Sequence, residues 1–177
     1  MYKRQVGDRA NNAVRVDGGQ LRATVVGEGG NLGMTQRGRI EAALNGVLLN
    51  TDAIDNSAGV DCSDHEVNIK ILVDQLVETG QLPAEERTGL LESMTDEVAA
   101  LVLETNVEQN ILLRNDAQRV AEWLPSFERH MDWLVEHAGL DRGLEFLPTQ
   151  AVLDERRHSG ANLTTPELAV LAAYAKI

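Results

Sequence analysis

Cysteine is almost missing from these 177 residues: Cys62 stands alone. No internal disulfide can form, and a metal site built from several thiolates is excluded. A single thiol of this kind suits a reducing cytoplasm. Positive charge is also scarce, since 16 Lys and Arg against 28 Asp and Glu leave a net charge of −12. Such a surface repels phosphate backbones and anionic headgroups, which argues against nucleic acid and membranes as partners. Long apolar runs are lacking, none approaching the ~20 residues of a membrane-spanning helix. The basic start Met1-Tyr2-Lys3-Arg4-Gln5 has no apolar segment behind it, so it does not read as a secretory signal. No fixed-period repeat is visible, which leaves solenoid architectures unsupported. What is present is a 43% apolar content, enough for a globular core, in a length suited to one domain.

Two turns rich in glycine and asparagine stand out, Gly27-Glu28-Gly29-Gly30-Asn31-Leu32-Gly33 and Asp55-Asn56-Ser57-Ala58-Gly59-Val60. Each follows a short β-rich run. Leu21-Arg22-Ala23-Thr24-Val25-Val26 alternates and stops at Gly27, and Val47-Leu48-Leu49-Asn50 is apolar on both faces, as a buried parallel strand would be. Between them, residues 35–44 read as a helix with Thr35 as N-cap and Gly46 as a left-handed stop. Turns at the carboxyl ends of parallel strands are where open α/β sheets hold ligands. The pattern therefore predicts an α/β fold, the C-terminal part of a Rossmann-like parallel sheet, followed by a mostly α-helical segment. The boundary is placed after residue 62: 1–62 as the tail of a dinucleotide-binding domain, 63–177 as a helical segment packed on or beside it.

In that second part Ile69, Leu72, Val73 and Leu76 recur at helical spacing and end near Gly80. Pro83 with Glu85 and Glu86 suits the start of the next helix, whose apolar face is Leu90, Met94, Val98, Leu101 and Val102. A further stripe, Val120, Trp123, Leu124, Phe127, Met131, Leu134 and Val135, is interrupted at Pro125, where a kink or break is expected, and closes at Gly139. Two shorter helices follow, over residues 149–158 and from Thr165-Pro166-Glu167. The apolar pattern is still running at Ile177, so both ends look abrupt and the chain reads as a piece of something longer.

The chemistry-bearing residues leave alternatives open. Gly27-x-Gly29-x-x-Leu32 puts leucine where the dinucleotide fingerprint needs its third glycine, so the fingerprint fails. What remains is a permissive loop with one carboxamide, Asn31, and a turn without any ligand explains its glycines equally well. Ser63 either caps a helix or, with helix N-terminal amides, binds a substrate carboxylate. Asp52, Asp55, Asp61, Asp64, His65 and Glu66 crowd together, but they match neither H-E-x-x-H nor the calcium loop, so no metal is assigned. Cys62 reads as a small buried side chain, and Trp123 and Trp133 as core filling. His130, His137 and His158 stand isolated on helices, in surface or packing roles.

Taken together, Val25-Val26-Gly27-Glu28-Gly29-Gly30-Asn31-Leu32-Gly33-Met34-Thr35 and the stretch 50–66, with its Asn56-Ser57-Ala58-Gly59-Val60-Asp61-Cys62-Ser63, closely resemble the large bacterial NAD-specific glutamate dehydrogenases. Leu144-Glu145-Phe146-Leu147-Pro148 and the stretch 163–176 are similar to the helical part that follows the catalytic region in that class. The resemblance implies NAD as cofactor and glutamate and 2-oxoglutarate as substrate and product, in amino acid catabolism. It implies cofactor-binding roles for Gly29, Gly30, Asn31 and Asn56, with Asn31 near the nicotinamide ribose and Asn56 near the nicotinamide and the substrate amino group. By the same similarity Ser63 binds the side-chain carboxylate of glutamate and Val60 walls the same pocket. Gly30, Leu32-Gly33-Met34 and Ser57-Ala58-Gly59 depart from the shorter glutamate dehydrogenases, which carry E-G-A-N and N-A-G-G-V. The catalytic lysine and aspartate and the phosphate-binding fingerprint have no counterpart here, so no catalytic residue is assigned to this chain and the polypeptide alone is expected to be inactive. A cytoplasmic location and a homo-oligomeric full-length enzyme complete the expectation. Two rivals stay open: a dehydrogenase for another amino acid, which Ser63 disfavours, and a non-enzymatic acidic helical interaction or regulatory module.

Overall fold

In the computed structural model, residues 13, 15–29 and 33–175 are described. The described chain is mainly helical. After a 3-10 turn at Gly18–Gln20 come α1 (Gln36–Leu44), the short α2 (Asp52–Asp55), α3 (Ser57–Glu78), a second 3-10 turn at Ala84–Glu86, the long α4 (Arg87–His137), α5 (Gln150–His158) and α6 (Thr165–Tyr174).

The expected Rossmann-like parallel sheet is not seen among the described residues, and the α/β assignment is corrected to a mainly helical one. The two β-rich runs do meet in parallel: Val26 N–H donates to the Leu48 carbonyl and Leu48 N–H to that of Thr24, both at 2.9 Å. They make one isolated bridge, Val25 to Leu48. Parallel strands persist where both faces are buried and further strands pair alongside. Here Val25 and Leu48 are 64% and 56% exposed, and only the other side, Val26, Val47 and Leu49, packs on Ala42 and Ala43 of α1. The local hydrophobic pattern was right about extended backbone, but ladder formation depends on partners that a pattern cannot supply.

The chain divides into two compact units. The first comprises residues 1–52 and 111–177. Its α1 starts where Thr35 Oγ1 accepts from Gly38 N–H and stops at Gly46, whose φ of +88° is a left-handed cap. Gln36 Nε2 ties α1 to the Pro166 carbonyl at the start of α6. The later part of α4 buries Leu113, Val120, Leu124, Met131 and Leu134. Trp123 and Trp133, expected in the core, are 41% and 53% exposed, because each lies one position off that buried row. They pair on the surface instead, Trp123 with the Arg119 guanidinium and Trp133 stacked on His137. The helix runs through Pro125 without a break.

The same unit holds a buried capping network. α6 opens with Thr164 as N-cap and Pro166 in its first turn, one residue earlier than the sequence suggests. Glu167 Oε2 accepts from Thr164 N–H (2.7 Å), Thr164 Oγ1 (2.8 Å) and Arg156 of α5 (2.8 Å). The Glu167 side chain is fully buried. Its Oε1 has no hydrogen-bond partner among the described residues.

The second unit, residues 53–110, holds α2 from Ala53 on, α3 and the first part of α4. α3 ends as its composition predicts: Gly80, at φ +72°, donates to the Val77 carbonyl and Gln81 to that of Leu76. Val73 of α3 and Val102 of α4 are the unit's most buried apolar side chains, and Ile69, Leu76 and Val98 are half-buried. Arg87 reaches Asp74 at 2.5 Å and holds that carboxyl below the usual aspartate range. The outward face of α3 is also apolar, with Val60, Val67 and Ile71 each more than half exposed.

Candidate functional site

The glycine-rich loop is anchored by a buried cluster of charges. Glu28 grips Arg39 of α1 twice, at 2.6 Å to Nε and 2.9 Å to Nη2, and its Oε2 also accepts from Met34 N–H at 3.1 Å. Arg39 Nη2 continues to Asp52 at 2.9 Å. Both Glu28 and Arg39 are 5% exposed. Their hydrogen bond, together with the two neighbouring carboxylates, raises the Arg39 pKa further, so the guanidinium stays charged against its burial. One carboxylate thus fastens the entry of the loop at residue 28 to its exit at residue 34. Gly29, next in the chain, is exposed, and a Cβ built there would meet none of the described residues within 4 Å. Gly30 and Asn31 lie outside the described residues.

The second turn is not a strand-end loop. Asn56 sits at φ −105° and ψ 17° between α2 and α3, as the N-cap of a 22-residue helix, and its side chain makes no capping hydrogen bond. The flanking residues are fastened from elsewhere in the unit: Asn106 Nδ2, on α4, donates at 2.8 Å to the Ile54 carbonyl and at 2.8 Å to Ser57 Oγ. Ile54 and Ser57 are buried while Asn56 is only half-buried, so its carboxamide is left at an accessible, fixed turn. Gly59, one helical turn on, has the Asn56 Oδ1 atom only 2.7 Å from where a Cβ would stand.

Ser63 does not cap α3, which begins six residues earlier. Its hydroxyl donates back to the Gly59 carbonyl at 3.4 Å, the i to i−4 contact common for serine inside helices. Ser63 and Val60 are both exposed and lie three residues apart on one side of α3. Cys62, expected to be buried, is exposed. A hollow of about 410 Å³ lies between α3 and the start of α4, lined by Cys62, Ile69, Met94 and Val98 among others. It is apolar and holds none of the expected site residues. Of the charged groups along it, Glu66, Lys70 and Glu92, the first two pair with each other at 2.5 Å.

The crowded acids disperse on folding, Asp52 to Arg39 and Glu66 to Lys70. Among the described residues no group of three or more His, Cys, Asp or Glu is placed to hold a metal ion. Nor is any helix among them long and apolar enough to cross a membrane. His137 and His158 contact carbonyls one turn back in their own helices. Sequence reading missed Asn106 and the Arg39 cluster. Asn106 carried a signal, a polar residue four after Val102 on the buried face of α4. Arg39 carried none, because its partners lie 11 and 13 residues away at no regular spacing.

Residues 2–116 match the family described as bacterial NAD-glutamate dehydrogenase, catalytic domain. The chain belongs to that family. Over 172 residues, 97% of its length, it is 55% identical to an NAD-specific glutamate dehydrogenase of Mycobacterium tuberculosis, and 52% and 51% identical to proteins of that name from Pseudomonas aeruginosa and Halomonas elongata. The matched region is 11% of the length of each of these relatives.

Proposed function

We propose that this chain supplies part of the NAD and glutamate pocket of an NAD-dependent glutamate dehydrogenase. The overall reaction converts L-glutamate, NAD⁺ and water to 2-oxoglutarate, ammonium, NADH and a proton. The observation that carries the reading is the turn at Asn56, in a chain of this family: a half-buried carboxamide not used for capping, held between two buried residues. Bound NAD would accept a hydride from the substrate α-carbon. Asn56 would orient the nicotinamide and the substrate amino group through its acceptor and donor atoms, and Asn31 the adjoining ribose. Gly29 and Gly30, having no side chain, suit close contact with the cofactor. Val60 and Ser63, one turn apart on α3, would meet the substrate side chain, the hydroxyl donating to its carboxylate. Leucine offers the Ser63 hydroxyl no acceptor, so the same contact favours glutamate over leucine. The net charge of −12 gives no support to a nucleic-acid or membrane role, and a cytoplasmic, homo-oligomeric enzyme is the setting that goes with this reading.

No lysine or aspartate of this chain is assigned a catalytic step, and the 177 residues alone are proposed to be inactive. NADH formation by the full-length enzyme with glutamate, leucine and phenylalanine tests the reading, alongside calorimetric titration of NAD against wild type, Asn31→Ala and Asn56→Ala. Preference for glutamate and weakened NAD binding in both variants are expected. A preference for leucine would overturn the substrate, and unchanged binding in both variants would make the two turns mere connectors.

A further inference from the structure

The carboxamide of Asn56 stands at a junction of two helices, where backbone is free to vary unless something fixes it. Two further residues do so, Gly59 of the same turn and Asn106 far from it in the chain. Asn106, fifty residues further along, places one amide nitrogen at 2.8 Å from both the Ile54 carbonyl and the Ser57 hydroxyl, the residues on either side of Asn56 and its predecessor. It is anchored in turn by the packing of α4 around the buried Val102. Gly59 contributes by what it lacks: Asn56 Oδ1 occupies the space, 2.7 Å away, that any Cβ at position 59 would crowd. The Gly59 N–H also donates to the Asn56 carbonyl at 3.1 Å. Displacing the backbone through Asn106 or the side chain through Gly59 therefore moves the same group by separate routes.

We propose that Asn106 and Gly59 are positioning residues that set the Asn56 carboxamide for catalysis, Asn106 by hydrogen bonds on both sides of it and Gly59 by the absence of a side chain. This rests on the role of Asn56 argued above. The two residues have opposite expected effects on stability, which separates positioning from simple folding. Asn106→Asp keeps the size of the side chain but turns an acceptor toward two oxygens, so it lowers the melting temperature. Gly59→Ala puts the better helix former into the first turn of α3 and leaves the melting temperature unchanged or higher. In the full-length enzyme each variant should lower kcat by about tenfold or more, since misplacement by a fraction of an ångström to 1 Å is costly in a near-attack geometry. KM for NAD should stay within about twofold of wild type, because most of the cofactor contacts would be untouched. Thr105→Ala, on the exposed side of α4, should match wild type. Wild-type kcat in Gly59→Ala, with a loss in Asn106→Asp that only tracks its lower melting temperature, would overturn the proposal. Asn56→Ala run in parallel separates the two levels. If it turns over glutamate like wild type, the role of Asn56 itself fails; if it is defective while both positioning variants are not, only this inference fails.

Discussion

Gly18 has no room for a methyl group. A Cβ there would lie 2.3 Å from the Gly38 carbonyl oxygen and 2.8 Å from the Ala42 nitrogen, both backbone atoms of α1 that cannot swing aside. Its neighbour Gly19 would meet only the tips of Asn45 and Glu41, at 3.3 Å. Gly18→Ala should therefore cost about 1–3 kcal/mol as overpacking, and Gly19→Ala well under that, in paired thermal or urea unfolding of the two variants. Equal losses would contradict the packing of the 3-10 turn on α1. Single residues were legible where their role is local. Thr35 as cap and Gly46 and Gly80 as left-handed stops follow from chemistry within a few positions. Asn106, Arg39 and Gly18 act on partners 11 to 52 residues away, and no local rule brings those together.

Among the elements, α5 and α6 are joined by the most exacting interaction. The Glu167 carboxylate is fully buried, and its charge is matched by Arg156 alone among its hydrogen-bond partners. Arg156→Ala would strand that charge, at about 3–5 kcal/mol, whereas Thr164→Ala removes a cap and one neutral donor at about 1 kcal/mol. The double replacement Arg156→Met with Glu167→Met should recover much of the loss, because an apolar pair needs no compensation. Chemical denaturation of the three variants checks the order, and a double variant as unstable as Arg156→Ala would refute it. At this scale the helices were readable from apolar spacing and caps, to within a residue at the start of α6. The strands were not, since extended sequence becomes sheet only through neighbours. The two tryptophans were misplaced because an apolar stripe at helical spacing admits residues one position off the buried row.

For the molecule as a whole, composition gave expectations about partners and little about architecture. The acidic balance and the lone cysteine narrowed the chemistry, while the division into residues 1–52 with 111–177 and residues 53–110 could not be seen in a linear pattern, since it cuts through α4. The ordered motifs carried the family, because they are short, local and numerous, and the comparisons bear that out over nearly the whole chain. The central claim is that the Asn56 carboxamide meets the cofactor and the substrate. A crystal structure of the full-length enzyme with NAD and glutamate tests it most directly. The account predicts Asn56 within hydrogen-bond distance, about 3 Å, of the nicotinamide or the substrate amino group. An Asn56 side chain turned to solvent, with both ligands bound elsewhere, would contradict it.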